Sequence, residues 1–243
     1  MKLIKIDNTQ WLVAHKKYKK VVSKEWFDSN HWQANNAIDG ESIGRATTYF
    51  FNHQEKRYVL REYRRGGLVG KLVEKKYFFK NIESTRAYQE LVVLKQLRKL
   101  KLPVPKPVAA LIKVEGYYYQ AKIITRLIKN AEDLFFHLKK QSLSEQQWIA
   151  IGLLVKRFHA VGLYHSDLNI HNLMINHKSN FWLIDFDKCR FLKPYDKKLQ
   201  SNVERLLRSL RKEKLKAQEK AEKFYWQEKD WAFFLQGYAT KID

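Results

Sequence analysis

Residues 164–187 constrain the fold of this chain more than any other stretch. They read YHSDLNIHNLMINHKSNFWLIDFD: a polar loop, a short apolar run, a turn at residues 176–180 and a second apolar run at residues 181–184. Short apolar runs bounded by turn residues are typical of paired strands. The segment therefore predicts a tight hairpin that brings Asp185, at the end of its second strand, to the same edge as the polar loop.

The polar loop and the strand end offer polar groups in an order suited to phosphoryl transfer. His165, Asp167 and Asn172 follow the pattern H-x-D-x-x-x-x-N. An aspartate in this place takes the proton of an attacking hydroxyl, which contributes roughly 10²- to 10⁴-fold in rate. Asn172 and Asp185 offer the hard oxygen atoms that Mg²⁺ prefers. The pattern predicts a kinase site with catalytic Asp167 and His165, in which His165 acts by bracing the loop.

Two other interpretations of the loop are weaker. In the first, the loop is an ordinary polar turn and Asp185 an ordinary strand end, but this leaves the length of the pattern and the second aspartate unexplained. In the second, His165, Asp167 and His171 bind a transition metal. The sequence shows no cysteine-rich or carboxylate-rich cluster that would support such a site.

A kinase also needs a cation for the nucleotide phosphates and a glutamate that holds this cation. Glu90 lies within a predicted helix and Arg61 within a predicted strand, where protein kinases have a lysine. Gly40 and Gly44 stand between predicted strands, and two such glycines can form a turn whose backbone approaches a phosphate. We predict that these four residues bind the nucleotide. Gly40 and Gly44 also fit an ordinary hairpin, and Glu90 also fits a solvated helix position.

The rest of the chain divides into a β-rich half with one helix and a larger helical half. Apolar periodicity and turn residues predict strands at residues 46–51, 58–63, 108–114 and 117–124, and helices at residues 84–100, 132–140, 144–161, 202–223 and 224–238. Residues 1–39 are expected to be largely β-structure, with Trp26 and Trp32 in a polar loop. We predict an α+β fold with one part at residues 1–128 and the other at residues 129–243.

Composition limits the environment and the partners. The 243 residues contain 47 Lys and Arg against 25 Asp and Glu, a net charge of +22, which predicts anionic partners such as nucleic acid, a lipid surface or a phosphorylated substrate. The one cysteine, Cys189, cannot form an intrachain disulfide and is expected to be a buried thiol. No apolar run approaches the ~18 residues of a membrane span, and the N-terminus lacks a signal-peptide pattern.

Assembled, these motifs resemble those of the bacterial lipopolysaccharide kinases, above all those that act on the sugar acid 3-deoxy-D-manno-octulosonic acid (Kdo). The matching stretches are GRATTYF (44–50), VLREYRRGG (59–67), STRAYQE (84–90), LPVPKP (102–107), RFH (157–159), YHSDLNIHN (164–172), LIDFD (183–187) and NVERLLRSLRKE (202–213). The resemblance extends from about residue 40 to the end of the chain, and few kinase-like families combine the last three stretches.

The resemblance implies a protein-kinase-like two-lobed fold: a small β-rich N-lobe with one main helix and a larger, mainly helical C-lobe. It implies ATP and Mg²⁺ as cofactors, Asp167 as catalytic base, and Asn172 and Asp185 as metal ligands. The implied reaction is phosphorylation of the 4-hydroxyl of a Kdo sugar on a lipid A precursor. The implied location is the cytoplasmic face of the bacterial inner membrane, with the protein bound peripherally.

Departures from protein kinases and the charge narrow the substrate class. Asn169 stands where a serine/threonine kinase has its catalytic-loop lysine, and residues 185–187 read DFD instead of DFG. Both differences argue against a protein substrate. A phosphotransferase of the aminoglycoside-kinase type is the nearest alternative enzyme, but a cationic acceptor suits a chain of net charge +22 badly. A non-catalytic nucleic-acid-binding protein is the alternative of another class, and it leaves the carboxylates unexplained.

We therefore expect two partners, a Kdo-bearing lipid A precursor and the anionic inner-membrane surface. Basic stretches that could contact this surface are residues 16–20, 64–65, 75–76 and 205–220. No nucleic-acid partner is expected. The sequence does not fix the oligomeric state, for which a monomer is the expectation.

Overall fold

A computed structural model of the protein describes residues 1–43, 47–63, 76–194 and 196–241. Gly44, Arg64, Arg65 and Lys75, which the sequence singled out, lie outside the described residues. The chain forms two compact units, Met1–Gln96 with Pro105–Ile128 and Leu97–Val104 with Lys129–Asp243. Strands dominate the first unit and helices the second, as the α+β expectation requires.

An antiparallel sheet dominates the first unit. Its strands are β1 (Lys2–Lys5), β2 (Gln10–Ala14), β3 (Ile38–Ile43), β4 (Thr47–His53), β5 (Lys56–Glu62), β6 (Tyr77–Phe78), β7 (Pro107–Glu115) and β8 (Tyr118–Arg126). In the described part the strand order is β1-β2-β7-β8-β5-β4-β3, and β6 also pairs with β8. The predicted β7–β8 hairpin is confirmed, with Gly116 at a φ of +59° in its turn.

Buried side chains cover both faces of this sheet. Successive strand residues point to opposite faces, and neighbours such as Ile123 and Ile124 belong to different core clusters. Helix α2 (Arg86–Lys99) packs on one face through Ala87 and Leu91. This confirms the predicted helix. The same packing brings Glu90 of α2 next to Arg61 of β5.

Three expectations for residues 1–40 are wrong. Residues 1–39 are not largely β-structure, because a 3-10 turn (Lys24–Phe27) and helix α1 (Ser29–Ala34) follow β2. Trp26 and Trp32 lie in the core of the opposite face, where Trp32 stacks on Phe51 at a centroid distance of 4.2 Å, because large aromatic rings gain more from burial than from a polar loop. Gly40 is not in a tight turn. It lies within β3 opposite Phe50, next to a register shift.

Helices dominate the second unit. They are α3 (Leu134–Lys140), α4 (Glu145–Ala160), α5 (Gln200–Glu219) and α6 (Asp230–Ala239). Ser144 forms a capping box with Gln147 at the start of α4, which confirms the predicted helix and its cap. Helix α6 begins later than predicted, at Asp230, whose carboxylate accepts the Gln227 N–H at 2.8 Å in the turn before the helix.

Two glycines allow α4 and α6 to pack closely. A Cβ atom on Gly152 would meet the backbone of Phe234, and one on Gly237 would meet the backbone of Ile149. Small residues at facing positions let helix backbones approach closely, so substitution by alanine would force the two helices apart. Cys189 is buried, as predicted. Among the described residues, no helix combines the length and the apolarity that crossing a membrane requires.

Candidate active site

The predicted hairpin of residues 164–187 is present in the second unit. Strand β10 (Leu163–Tyr164) leads into the polar loop, and a 3-10 turn (Ile170–Asn172) ends it. Strands β11 (Leu173–Asn176) and β12 (Phe181–Leu183) then pair in antiparallel register, while β9 (Ala131–Asp133) pairs with the other edge of β11. The Asn176 side chain accepts the N–H groups of Lys178 and Asn180, both at 3.0 Å, and so closes the turn.

Asp167 presents its carboxylate to solvent from a loop whose backbone is held firmly. Its carbonyl accepts the side-chain amides of Asn169 at 3.0 Å and Asn172 at 2.8 Å. Its N–H donates to Nδ1 of His165 at 3.3 Å. The Asp167 side chain is 60% exposed, and Nη1 of Arg205 lies 3.5 Å from its Oδ1. A fixed backbone and an accessible carboxylate are what a general base for a bound hydroxyl needs.

His165 has the contacts of a positioning residue. It is 2% exposed, and its Nε2 lies 3.0 Å from the Ile184 carbonyl, to which it donates. Because Nδ1 accepts from Asp167, the proton belongs on Nε2 and the ring is neutral. Burial lowers the pKa of His165, despite opposing contributions from Ile184, Asp185 and Asp167. The ring thus ties the loop to the end of β12.

Asn172 lies just before the first residue of β11 and Asp185 lies two residues after the last residue of β12, so both stand at the same end of the hairpin. The Ile184 N–H donates to the Asn172 carbonyl at 3.0 Å, which continues the β11–β12 ladder by one residue. Asp185 follows with a φ of +61°, a left-handed conformation that costs free energy in a residue other than glycine. Such an outlier at a strand end turns the side chain away from the direction that the strand would give it.

Asn172 and Asp185 fit a Mg²⁺ ion through the chemistry of their donors. Mg²⁺ is bound through one or two protein oxygens together with water and phosphate oxygens, rather than by an all-protein cage. In the described part of the chain, no group of three His, Cys, Asp or Glu side chains could hold a metal ion. That finding does not test a site of two protein ligands, so Asn172 and Asp185 stay predicted Mg²⁺ ligands. The same finding would not agree with the transition-metal cluster of His165, Asp167 and His171.

Side chains of helix α5 form hydrogen bonds to the backbone of the loop, a contact that the sequence analysis did not predict. The Asn202 side chain accepts the His165 N–H at 2.9 Å and donates to the His165 carbonyl at 2.8 Å. Ser209 accepts the Ile170 N–H at 3.0 Å. A signal was present in the sequence, because Asn202 falls four and eight residues before Leu206 and Leu210, on the apolar face of the predicted helix. A polar residue on that face must find a partner when buried.

The first unit brings Arg61 and Glu90 together, as predicted. Nη2 of Arg61, on β5, lies 2.7 Å from both carboxylate oxygens of Glu90, on α2. Glu90 is 4% exposed, and the hydroxyl of Tyr63 also donates to it. A buried carboxylate is tolerated only when it is paired and hydrogen-bonded. The solvated-helix interpretation of Glu90 is therefore wrong, while the roles of Gly40, Arg61 and Glu90 toward a nucleotide stay predictions.

The sequence was also compared with known proteins. A profile of the lipopolysaccharide kinase (Kdo/WaaP) family matches residues 29–238. A 3-deoxy-D-manno-octulosonic acid kinase of Vibrio vulnificus strain CMCP6 is 41% identical over 215 residues, which cover 88% of this chain and 89% of the relative. Enzymes of the same name from Vibrio parahaemolyticus and Mannheimia succiniciproducens are 43% and 40% identical, and the matches cover 86% and 88% of this chain and 86% and 90% of the relatives.

The buried histidines beside the loop make stability depend on pH. Burial lowers the pKa of His159 from 6.5 to about 4, and its Nδ1 lies 2.8 Å from the Tyr238 hydroxyl. The unfolded chain then binds more protons than the folded chain between these pH values, so stability falls as the pH drops from 6.5 to 4. We expect this histidine alone to contribute a loss on the order of 3 kcal/mol.

The measurement is urea unfolding of the wild type, His159→Gln and His177→Gln between pH 7 and pH 4. His159→Gln should show a shallower loss of stability on acidification, and the exposed His177 serves as the control. Parallel pH profiles for the wild type and His159→Gln would contradict the assignment.

Proposed function

Because the chain belongs to the lipopolysaccharide kinase (Kdo/WaaP) family, we propose that it transfers the γ-phosphoryl group of ATP to the 4-hydroxyl of a Kdo sugar on a lipid A precursor. The observation that carries this proposal is the exposed carboxylate of Asp167 on a loop held by Asn172 and His165. The relatives supply the identity of the sugar, since they are named for Kdo. The reaction belongs to the biosynthesis of the lipopolysaccharide core.

The chemistry assigned to Asp167 is that of a general base. The acceptor oxygen attacks the γ-phosphorus, the bond from this phosphorus to the bridging oxygen of ADP breaks, and the hydroxyl proton passes to the Asp167 carboxylate. Asn172 and Asp185 would hold Mg²⁺, which neutralises charge on the phosphates. His165 keeps the loop and the end of β12 in register, so it affects the rate without touching the reacting atoms.

We extend the proposal to the fold and to the nucleotide. The first unit combines an antiparallel sheet with α2, and the second is mainly helical. Both agree with the small and large lobes, residues 1–128 and 129–243, of a protein-kinase-like fold. Arg61, held by Glu90, would contact the nucleotide phosphates in place of the usual lysine, with a planar fork instead of a point charge. Gly40 remains a candidate for a backbone contact.

We propose that the basic surface of α5 binds the anionic membrane in which the acceptor lies. Lys212, Lys216 and Lys220 are exposed and spaced four residues apart, so they form one stripe along the helix. Leu215, 59% exposed, lies beside this lysine stripe. Each lysine near an anionic lipid surface is worth about 1 kcal/mol. The stripe would hold the protein peripherally at the cytoplasmic face of the inner membrane, where lipid A precursors are anchored.

The reaction is tested with ATP, Mg²⁺ and a Kdo-bearing lipid A precursor. The wild type should transfer one phosphate, located at the sugar 4-hydroxyl by mass spectrometry and NMR, and removal of Mg²⁺ should abolish the transfer. Asp167→Asn should lower kcat about 10²- to 10⁴-fold with an unchanged thermal midpoint, because the side chain is exposed. Unchanged turnover by Asp167→Asn would refute the base, and no transfer by the wild type would refute the substrate.

The nucleotide cation is tested with Arg61→Lys, which keeps the charge beside buried Glu90. Loss of the planar fork should raise the KM for ATP roughly 10- to 100-fold and leave the KM for the acceptor unchanged, since charged hydrogen bonds are worth this much. Arg57→Lys is the matched control. Arg57 lies on the same strand and pairs with Asp39, with 44% of its side chain exposed. Equal KM values for ATP in both variants would remove Arg61 from the site.

Membrane binding is tested by sedimentation with vesicles that contain 30% or no anionic phospholipid. Lys212→Gln/Lys220→Gln should weaken binding to the anionic vesicles about 10- to 30-fold. Lys216 is kept because its Nζ pairs with Glu213 at 2.8 Å. Lys56→Gln/Lys80→Gln removes the same charge from exposed positions of the first unit that lie outside the predicted membrane-contact stretches, and it should have a smaller effect. Equal losses in the two variants would show that net charge, and not the lysine stripe, governs binding.

A further inference from the structure

Arg205 holds a guanidinium beside the carboxylate of Asp167. Its Nη1 lies 3.5 Å from Oδ1 of Asp167, and the two side chains are 43% and 60% exposed. Ion pairs this exposed contribute little to stability. A guanidinium also carries five N–H donors in a planar fork, and contact with one carboxylate oxygen uses only part of that fork. Arg205 is therefore placed to bind a second anion next to the catalytic base.

The position of Arg205 is fixed by the same helix that holds the loop. Asn202, less than one turn earlier on α5, makes two hydrogen bonds to the backbone of His165. Ser209, about one turn later, accepts from Ile170. These contacts on both sides set the register of α5 against the loop. This register places the backbone of Arg205 within reach of the Asp167 carboxylate.

The loop supplies no such cation itself. Residues 165–172 contain neither lysine nor arginine, and Asn169 occupies the place where a serine/threonine kinase has a lysine. The Asn169 side chain is used within the loop, where it donates to the Asp167 carbonyl at 3.0 Å and accepts the His171 N–H at 2.9 Å. In the described part of the chain, the guanidinium that lies beside the Asp167 carboxylate is that of Arg205 on α5.

The acceptor of the proposed function carries an anion close to its reacting hydroxyl. Kdo is a sugar acid with its carboxylate on C2, and the hydroxyl to be phosphorylated is on C4, two ring carbons away. Arginine matches a carboxylate with two parallel N–H donors, a geometry that lysine cannot reproduce. We propose that Arg205 binds the carboxylate of the acceptor sugar and so sets the 4-hydroxyl against Asp167. This inference rests on the proposed function and adds a specificity residue to it.

The consequence is selection of sugar acids over neutral sugars. A neutral sugar would leave the guanidinium without its second anion and the hydroxyl without its orientation. Loss of one charged hydrogen-bond partner of this kind costs roughly 10- to 100-fold in affinity. The effect should appear mainly in the KM for the acceptor. The KM for ATP should not change.

The test compares two acceptors and four proteins. The acceptors are a synthetic Kdo glycoside with a free carboxylate and the same glycoside as its neutral carboxamide. The proteins are the wild type, Arg205→Gln, Arg205→Lys and Arg208→Gln. Arg208 lies on the same helix, is 65% exposed and pairs with Glu204 at 3.9 Å, so its loss removes the same charge without touching Asp167.

We expect Arg205→Gln to lower kcat/KM for the acid about 10- to 100-fold, with little further loss on the carboxamide. Arg205→Lys should keep part of the preference for the acid, and Arg208→Gln should show the acid-to-amide ratio of the wild type. Equal losses by Arg205→Gln on both acceptors would overturn the inference and leave the proposed function intact. No transfer to the acid by the wild type would overturn both.

Discussion

The two hydrogen bonds between the Asn202 side chain and the backbone of His165 are the contact on which the candidate active site depends. Asn202 is fully buried, and its amide satisfies both a donor and an acceptor of one residue, at 2.9 and 2.8 Å. An unpaired amide at such a place would cost about 1–3 kcal/mol, which favours the register of helix α5 and the loop that forms both bonds. That register also brings Ser209 to Ile170 and Arg205 to Asp167.

Within this frame two buried side chains fix the backbone of the loop. His165 forms hydrogen bonds to the loop and to the end of β12, and Nδ2 of Asn172 donates to the Asp167 carbonyl, while the Asn172 amide oxygen is the atom proposed to hold Mg²⁺. The Asp167 carboxylate, in contrast, is exposed. Since burial lowers the pKa of His165, the ring stays neutral and adds no charge where charged phosphates are proposed to bind. Ser179, in the turn of the hairpin, and Asp185 both have a positive φ, and Asp185 is a predicted metal ligand.

Local patterns predicted much of this arrangement, and tertiary contacts decided the rest. The β7–β8 hairpin, α2 and the Ser144 cap follow from turn residues, apolar period and cap chemistry, which act over a few neighbouring residues. Trp26 and Trp32 were misplaced because their partner Phe51 is far away in the sequence. Gly40 could not be told apart from a turn glycine, since a glycine in a strand beside a bulge has the same local signal. The hydrogen-bond partner of Asn202, the backbone of His165, could be identified only from the fold.

The register of α5 against the loop shows how the basic residues of this helix are arranged. Arg205, Lys212 and Lys216 are seven and four residues apart, and at 3.6 residues per turn they fall along one line of the helix. The line starts at the loop of residues 165–172, where Arg205 meets Asp167, and continues as the lysine stripe. The proposed acceptor, a sugar acid on an anionic lipid, would contact Arg205 with its sugar acid and the lysine stripe with its lipid. Asn202 sets the position of this helix against the loop. A displacement of α5 would therefore move Arg205 relative to Asp167, so the proposed acceptor contact and the proposed base are coupled through one helix.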